Sequence, residues 1–406
     1  MPRFAHDYKP LYFLGALGPG GLSVSFFMYL MFLIPHPGRP MPTFTDVVAV
    51  YQNEGLGLQV MTSLALVAIA FFMIKHFQML AANIKAFNEL RKSPAYSNLR
   101  NSNAEVSIMA MPLTLSMTIN VLFILGLLAV PGLWNNVEWL FPFALAGFTA
   151  VGAMAFFIFG RYLARVISHR GFDIEDTNHF SQLLPAFAFV MVAVGYAAPA
   201  AMSKVTATSV IGMFGSFVFL AAAAAWIMIK LPVSFNAILR KGLALEAGPT
   251  LWMGIPILTL VGITFVRLGS GVSHNLVGTE LNPVITFVVL GLLVAAQIVM
   301  GLVGWAVMRR QGYFARFVRG NEGSIPSYGL ICPGVAFAVL SMFFIHWGLV
   351  RTDIVPMFSV AHFVLLAVVL ATQAKTIQVL FQLDRNLLGE PRTPAAAPKD
   401  EALSSV

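Results

Sequence analysis

Apolar residues fill this chain in long blocks, and polar residues are confined to the short stretches between them. Ten blocks are long enough to cross a bilayer as helices, a span that takes roughly 20 apolar residues. They run approximately over Leu11–Ile34, Leu58–His76, Val106–Leu128, Trp139–Ile167, Phe180–Ala201, Val205–Ile229, Pro249–Leu268, Pro283–Met308, Tyr328–Val350 and Phe358–Leu380. Past the second block, His76–Lys92 keeps apolar residues at helical spacing, with Lys85, Arg91 and Lys92 between them. That pattern predicts a helix continuing beyond the membrane. It either lies on the membrane surface or ends as a solvated extension capped at Ser93-Pro94.

The loop charges test the count. Alternating sides place only Arg39, Lys204, Arg267 and Arg351 on one face, leaving 21 of the 25 basic residues on the face that holds both termini. Cationic loops stay cytoplasmic, so both termini are expected inside, in a bacterial inner (plasma) membrane. A missed or extra span in mid-chain would have scrambled this split. Composition agrees: 58% of residues are hydrophobic and 10% charged, which excludes a soluble domain. The net charge of +8 is scattered between spans, so topology accounts for it and no nucleic-acid partner is expected. No cleavable signal peptide is evident, because the first apolar run is long enough to span. The pattern divides the chain into a ten-helix pore domain over 1–386 and a Pro/Ala-rich tail over 387–406, expected to be disordered and cytoplasmic.

A repeat underlies the ten blocks. Each odd block carries a proline near its cytoplasmic end: Pro19, Pro112, Pro185, Pro256 and Pro333, at intervals of 93, 73, 71 and 77 residues. The even blocks have no equivalent. Proline inside a helix removes a donor and kinks the chain, and in a membrane such a break survives only where protein or a cavity covers it. The expected fold is therefore an all-α polytopic membrane protein. Five parallel helical hairpins surround a central pore, with kinked odd helices inside and straighter even helices outside.

Aligning the prolines predicts three pore layers. Gly18, Met111, Leu184, Ile255 and Cys332 precede them. Ser23, Ser116, Phe189, Leu260 and Phe337 follow one turn later, and Phe27, Asn120, Ala193, Thr264 and Ser341 two turns later. No layer holds a carboxylate, which disfavours a cation channel or proton relay and suits an anion or a neutral solute. Basic residues at the cytoplasmic mouth would raise the local anion concentration, although the topology rule alone also places them there. Phe337 is the expected steric plug, and Cys332 the pore-bordering thiol beneath it.

Other candidates carry less. One cysteine excludes an internal disulfide and a cysteine metal cluster. The loop Ser168–His179 holds His169, Asp173, Glu175, Asp176 and His179, which reads as a metal site or as a loop whose Asp176-Thr177-Asn178 caps the next helix. Gly15, Gly18, Gly20 and Gly21 resemble a nucleotide loop only loosely and serve close helix packing. His346 is a candidate ligand or an interfacial ring. Arg267 and Arg351 form an outer basic vestibule or snorkel to the interface. No nucleophile–base pair, phosphate loop, cofactor or metal motif is evident, so an enzyme is not expected.

The opening YFLGALGPGGLS, the ten spans and the proline in each odd helix resemble the tellurite-resistance/C4-dicarboxylate transporter family, which includes TehA proteins, fungal malate permeases and plant slow-type anion channels. The resemblance covers Tyr12 to about Leu380. It implies five hairpins around a central pore, often in a homotrimer, passing organic dicarboxylates, inorganic anions or oxyanions. That family usually places a plugging Phe before the proline of the ninth helix, where this chain has Cys332. In this respect the chain looks like the TsoY-type (seleno)protein branch. Two functions follow: an anion channel or secondary transporter, or a membrane redox or chalcogen-handling protein acting through Cys332.

Overall fold

A computed structural model describes residues 2–168 and 177–389. These are all-helical apart from turns and one isolated bridge, and they include ten helices long and apolar enough to span a membrane. In order they are α1 (Leu14–Leu33), α2 (Phe44–Asn53), α3 (Leu56–Leu90), α4 (Pro94–Arg100), α5 (Ala110–Ala129), α6 (Val137–Ser168), α7 (Leu184–Met202), α8 (Thr206–Lys241), α9 (Gly254–Val272), α10 (Pro283–Arg310), α11 (Ile331–Phe343) and α12 (Val360–Leu387). All but the short α2 and α4 span.

Burial sorts the spans into two rings. In the most apolar stretch of each odd span, 78, 50, 94, 50 and 72% of residues are buried; the even spans give 28, 22, 33, 22 and 28%. The even helices expose large apolar side chains such as Leu64, Phe157, Phe214, Leu292 and Val364. On a chain this apolar, that surface is a lipid-facing belt. The odd helices close a cycle: α1 packs on α5, α5 on α7, α7 on α9, α9 on α11, and α11 on α1. Each even helix lies against its hairpin partner, as α3 on α1 and α8 on α7. Glycine sets the closest approaches. A Cβ on Gly18 would sit 2.8 Å from Ile331 Cγ2, and one on Gly20 would sit 2.7 Å from His76 Nδ1.

The prolines act differently from simple kinks. Every odd span opens with a 3-10 stretch (Pro10–Phe13, Asn103–Met109, Phe180–Leu183, Leu245–Trp252 and Ile325–Leu330) and then becomes α-helical. Pro112, Pro185, Pro256 and Pro333 stand at the second or third position of the α-helical part, where the 3-10 stretch passes into α-helix. Only Pro19 lies deeper, in the second turn of α1. Outer helices satisfy carbonyls near these breaks: His76 Nδ1 donates to Ala16 O at 2.8 Å, and Trp226 Nε1 donates to Gln182 O at 2.7 Å. Each acceptor lies three residues before a proline.

The helix past the second span is continuous to Leu90, with one face packed on the bundle and the other, at Ile84, Lys85, Asn88 and Glu89, exposed. His76, Met79, Asn83 and Phe87 are buried against the bundle, and Asn83 Nδ2 donates to Tyr12 O at 3.2 Å. Ser93 and Pro94 instead begin α4. The ends of the described chain meet at one face, called here the terminal face. Phe4 bridges Leu388, Ala5 N donates to Leu387 O at 3.0 Å, and Lys75 pairs with Asp384 at 2.6 Å. On the same face Glu105 is buried between Arg100 and Arg165, each 2.7 Å away.

Candidate functional site

The five inner helices enclose a chamber of about 120 Å³. Its wall is drawn from all five: Gly18, Gly21, Val24 and Phe27 from α1; Met117, Asn120 and Phe123 from α5; Phe187, Met191 and Val194 from α7; Thr259, Leu260, Ile263 and Arg267 from α9; and Cys332, Val335, Ala336 and Val339 from α11. Met41, from the segment joining α1 to α2, completes it. A second cavity of about 40 Å³ lies toward the terminal face, and Phe187, Pro256 and Cys332 border both. These three residues mark the constriction. Leu11 and Pro326 in turn border both the second cavity and a mouth of about 1400 Å³ at the terminal face.

Charge is sparse along this axis. Arg267 is the one charged residue on the central chamber, about 16 Å beyond Pro256 along α9 at ~1.5 Å per residue. Its Nη1 donates to Val194 O at 2.8 Å, and no carboxylate among the described residues lies within ion-pairing distance. A guanidinium cannot shed its charge as other bases do, so it offers a fixed cation with unused donors to whatever occupies the chamber. The wall's other polar side chains are already engaged. Thr259 Oγ1 donates to Ala336 O at 2.8 Å, and Asn120 Nδ2 donates to Ser116 O at 3.3 Å. The mouth is of mixed charge: Arg3, Lys9 and Lys85 stand beside Asp7, Glu89, Glu246 and Glu322. The concentration of cations expected at that mouth is therefore offset by acids.

Of the residues in the aligned layers, Gly18, Phe27, Asn120, Leu260 and Cys332 line the chamber and Leu184 the cavity below; Pro256 borders both and Pro333 the lower one. Phe337 lines neither cavity, and α11 turns Val335, Ala336 and Val339 inward instead. Phe189 points into the α6–α8 side, with its ring 4.8 Å from Phe156 and 5.4 Å from Phe159. Ser23 donates to Gly20 O at 2.7 Å, and Ser116 and Thr264 are buried off the path. Pro19, Pro112 and Pro185 also stand away from both cavities, so the five prolines do not form one ring at the axis. The reason is rotational. The residue four after a proline returns to the proline's own side, whereas the inward face lies roughly half a turn round, at ~100° per residue. Gly21, Phe187 and Val335, each two residues after a proline, occupy that face. Of the five prolines only Pro256 lines the central chamber itself, and Pro333 reaches the cavity below it. Phe187, Met191 and Arg267 were not among the aligned layers, and this two-residue offset would have found Phe187.

The remaining candidates separate from the axis. Arg351 covers the Trp347 ring at 4.2 Å and does not join Arg267 in a vestibule. His346 Nδ1 donates to Met342 O at 2.8 Å, and its Nε2 lies 3.2 Å from His362 Nε2. No group of three or more metal-ligating side chains occurs among the described residues. In the loop Ser168–His179, His169, Asp173, Glu175 and Asp176 lie outside the described residues, as does the tail beyond Gly389. His179 caps the next turn by accepting from Ser181 N at 3.3 Å, and Asp176 of the expected capping triplet lies outside the described residues.

Ten apolar spans in two rings around an axial chamber define a polytopic membrane protein of the channel or transporter class. No protein-family model, curated protein or solved structure matches the chain.

Proposed function

We propose that this protein conducts or carries small anions across a membrane along the axis of its inner ring. The observation that carries the reading is Arg267, a fixed cation on a chamber whose wall holds no acid. A cation entering that chamber would meet uncompensated repulsion at low dielectric, whereas an anion would gain a partner. Transport proceeds through the constriction at Phe187, Pro256 and Cys332, with both termini cytoplasmic as the loop charges imply. The kinship proposed on this basis is to TehA-like and slow-type anion channels. Cys332 borders the path, but the side chains lining its two cavities include no base to activate a thiol. The geometry therefore favours a bystander on the path over a redox centre. The test is the reversal potential of the purified protein in planar bilayers under a KCl gradient. It should move toward the chloride equilibrium value, and a move toward the potassium value would refute the reading.

A further inference from the structure

The chamber is unlike a site for a doubly charged solute. One end has a single guanidinium. The rest of the wall is hydrocarbon and thioether: Val24, Met117, Met191, Leu260, Val335 and Val339 surround the space between Arg267 and the constriction. The two other polar side chains on this wall are committed. The Thr259 hydroxyl donates to Ala336 O at 2.8 Å and accepts from Gln297 Nε2 at 2.7 Å. Asn120 Nδ2 serves Ser116 O at 3.3 Å and the Met191 sulfur at 4.0 Å. The side chains lining the second cavity include no cation either, and its Thr250 hydroxyl donates to Ala247 O at 2.7 Å.

Resting on the anion pathway above, we propose that the chamber binds a monoanion with an apolar body, of the short-chain monocarboxylate class, and discriminates against dicarboxylates. The carboxylate takes the open donors of Arg267, for which the planar fork of a guanidinium is suited. The alkyl part lies toward Met117, Met191 and Val335, where flexible thioethers adapt to chain length. Each added methylene, up to the capacity of about 120 Å³, strengthens binding about three- to fourfold through apolar burial. A second carboxylate would have to sit against this apolar wall without a cation or a free donor, which weakens binding by roughly a hundredfold or more.

The experiment is equilibrium binding to the purified, detergent-solubilised full chain at pH 8, where all four probes are fully ionised. Acetate, propionate, butyrate and succinate are titrated separately; butyrate and succinate share a four-carbon skeleton and differ in one carboxylate. The expected result is affinity rising from acetate to butyrate, with succinate at least about a hundredfold weaker than butyrate. Arg267→Gln should lose butyrate binding, and Arg267→Lys should retain part of it. Succinate binding as tightly as butyrate, no rise along the series, or no butyrate binding at all overturns the proposal. Butyrate affinity unchanged in a folded Arg267→Gln protein does so as well. The comparison of probes on the unaltered chain decides the matter even where a variant fails to fold. The KCl reversal potential separates the two levels. Chloride selectivity without the butyrate preference removes this inference and leaves the anion pathway standing, whereas potassium selectivity removes both.

Discussion

The guanidinium of Arg267 donates to the backbone carbonyl of Val194 across 2.8 Å, joining α9 to α7 on the wall of the central chamber. The bond engages one nitrogen and aims the group without neutralising it. Replacing it with Gln keeps an amide near Val194 and removes the charge. A charge-assisted bond to a solute contributes about 1.5–3 kcal/mol. Arg267→Gln should therefore lower saturable anion flux at subsaturating concentration by about 10- to 100-fold in proteoliposomes, with Arg267→Lys in between. Unchanged flux in a correctly folded Arg267→Gln protein would remove Arg267 from the path.

Phe187 and Phe337 make opposite expectations. Phe187 borders both cavities and is the bulkiest side chain at the constriction, whereas Phe337 borders neither. Phe187→Ala should merge the cavities and raise unitary flux severalfold, because apolar constrictions gate by excluding water. Phe337→Ala should leave flux within about twofold and act through packing alone. Single-channel or stopped-flow flux on the two variants decides this, and a rise confined to Phe337→Ala would relocate the plug.

Much of this was legible in the sequence. Length and charge were enough for ten spans, because a bilayer fixes helix length and loop charge is readable without packing. The inner and outer rings followed from the five prolines. Which face of each inner helix turns inward was not legible. The inner helices are apolar all round, so no amphipathic stripe marks the axis, and burial in α7 is almost complete on every side. Helix rotation there is set by contacts such as Trp226 on Gln182 O and His76 on Ala16 O, which join residues 44 and 60 positions apart. Arg267 was visible as an interfacial cation, but the axial chamber beside it appears only once α7 and α9 are packed.

Glu105 gives a stability prediction. It is 1% exposed and holds Arg100 and Arg165, tying α4 and α6 to the start of the third span. Removing one member of a buried charge network strands the others. Glu105→Ala should destabilise the protein by about 3–5 kcal/mol, visible as a markedly lower Tm in detergent, and Glu105→Gln by less. An unchanged Tm in both variants would show that the network contributes little.

Gly18 tests the packing of the inner ring. Its missing Cβ leaves room for Ile331 Cγ2, 2.8 Å from where that Cβ would stand, and the residue also faces the chamber. Gly18→Ala should cost about 1–3 kcal/mol by overpacking. The companion change Ile331→Val should not repair it fully, since Val retains a γ-methyl. Thermal unfolding of the single and double variants checks both statements.

The axial path itself is tested most directly at Cys332. It is the chain's single cysteine and borders both cavities at the constriction, so the unaltered protein already carries one probe at the proposed narrowest point. Anion flux is measured in proteoliposomes before and after a small charged methanethiosulfonate reagent, with labelling quantified by mass spectrometry, and repeated on Cys332→Ala. The account predicts that flux falls in proportion to the fraction labelled, and that Cys332→Ala conducts and is insensitive to the reagent. Full labelling of Cys332 with undiminished flux, or equal block in Cys332→Ala, would contradict a path through the inner ring.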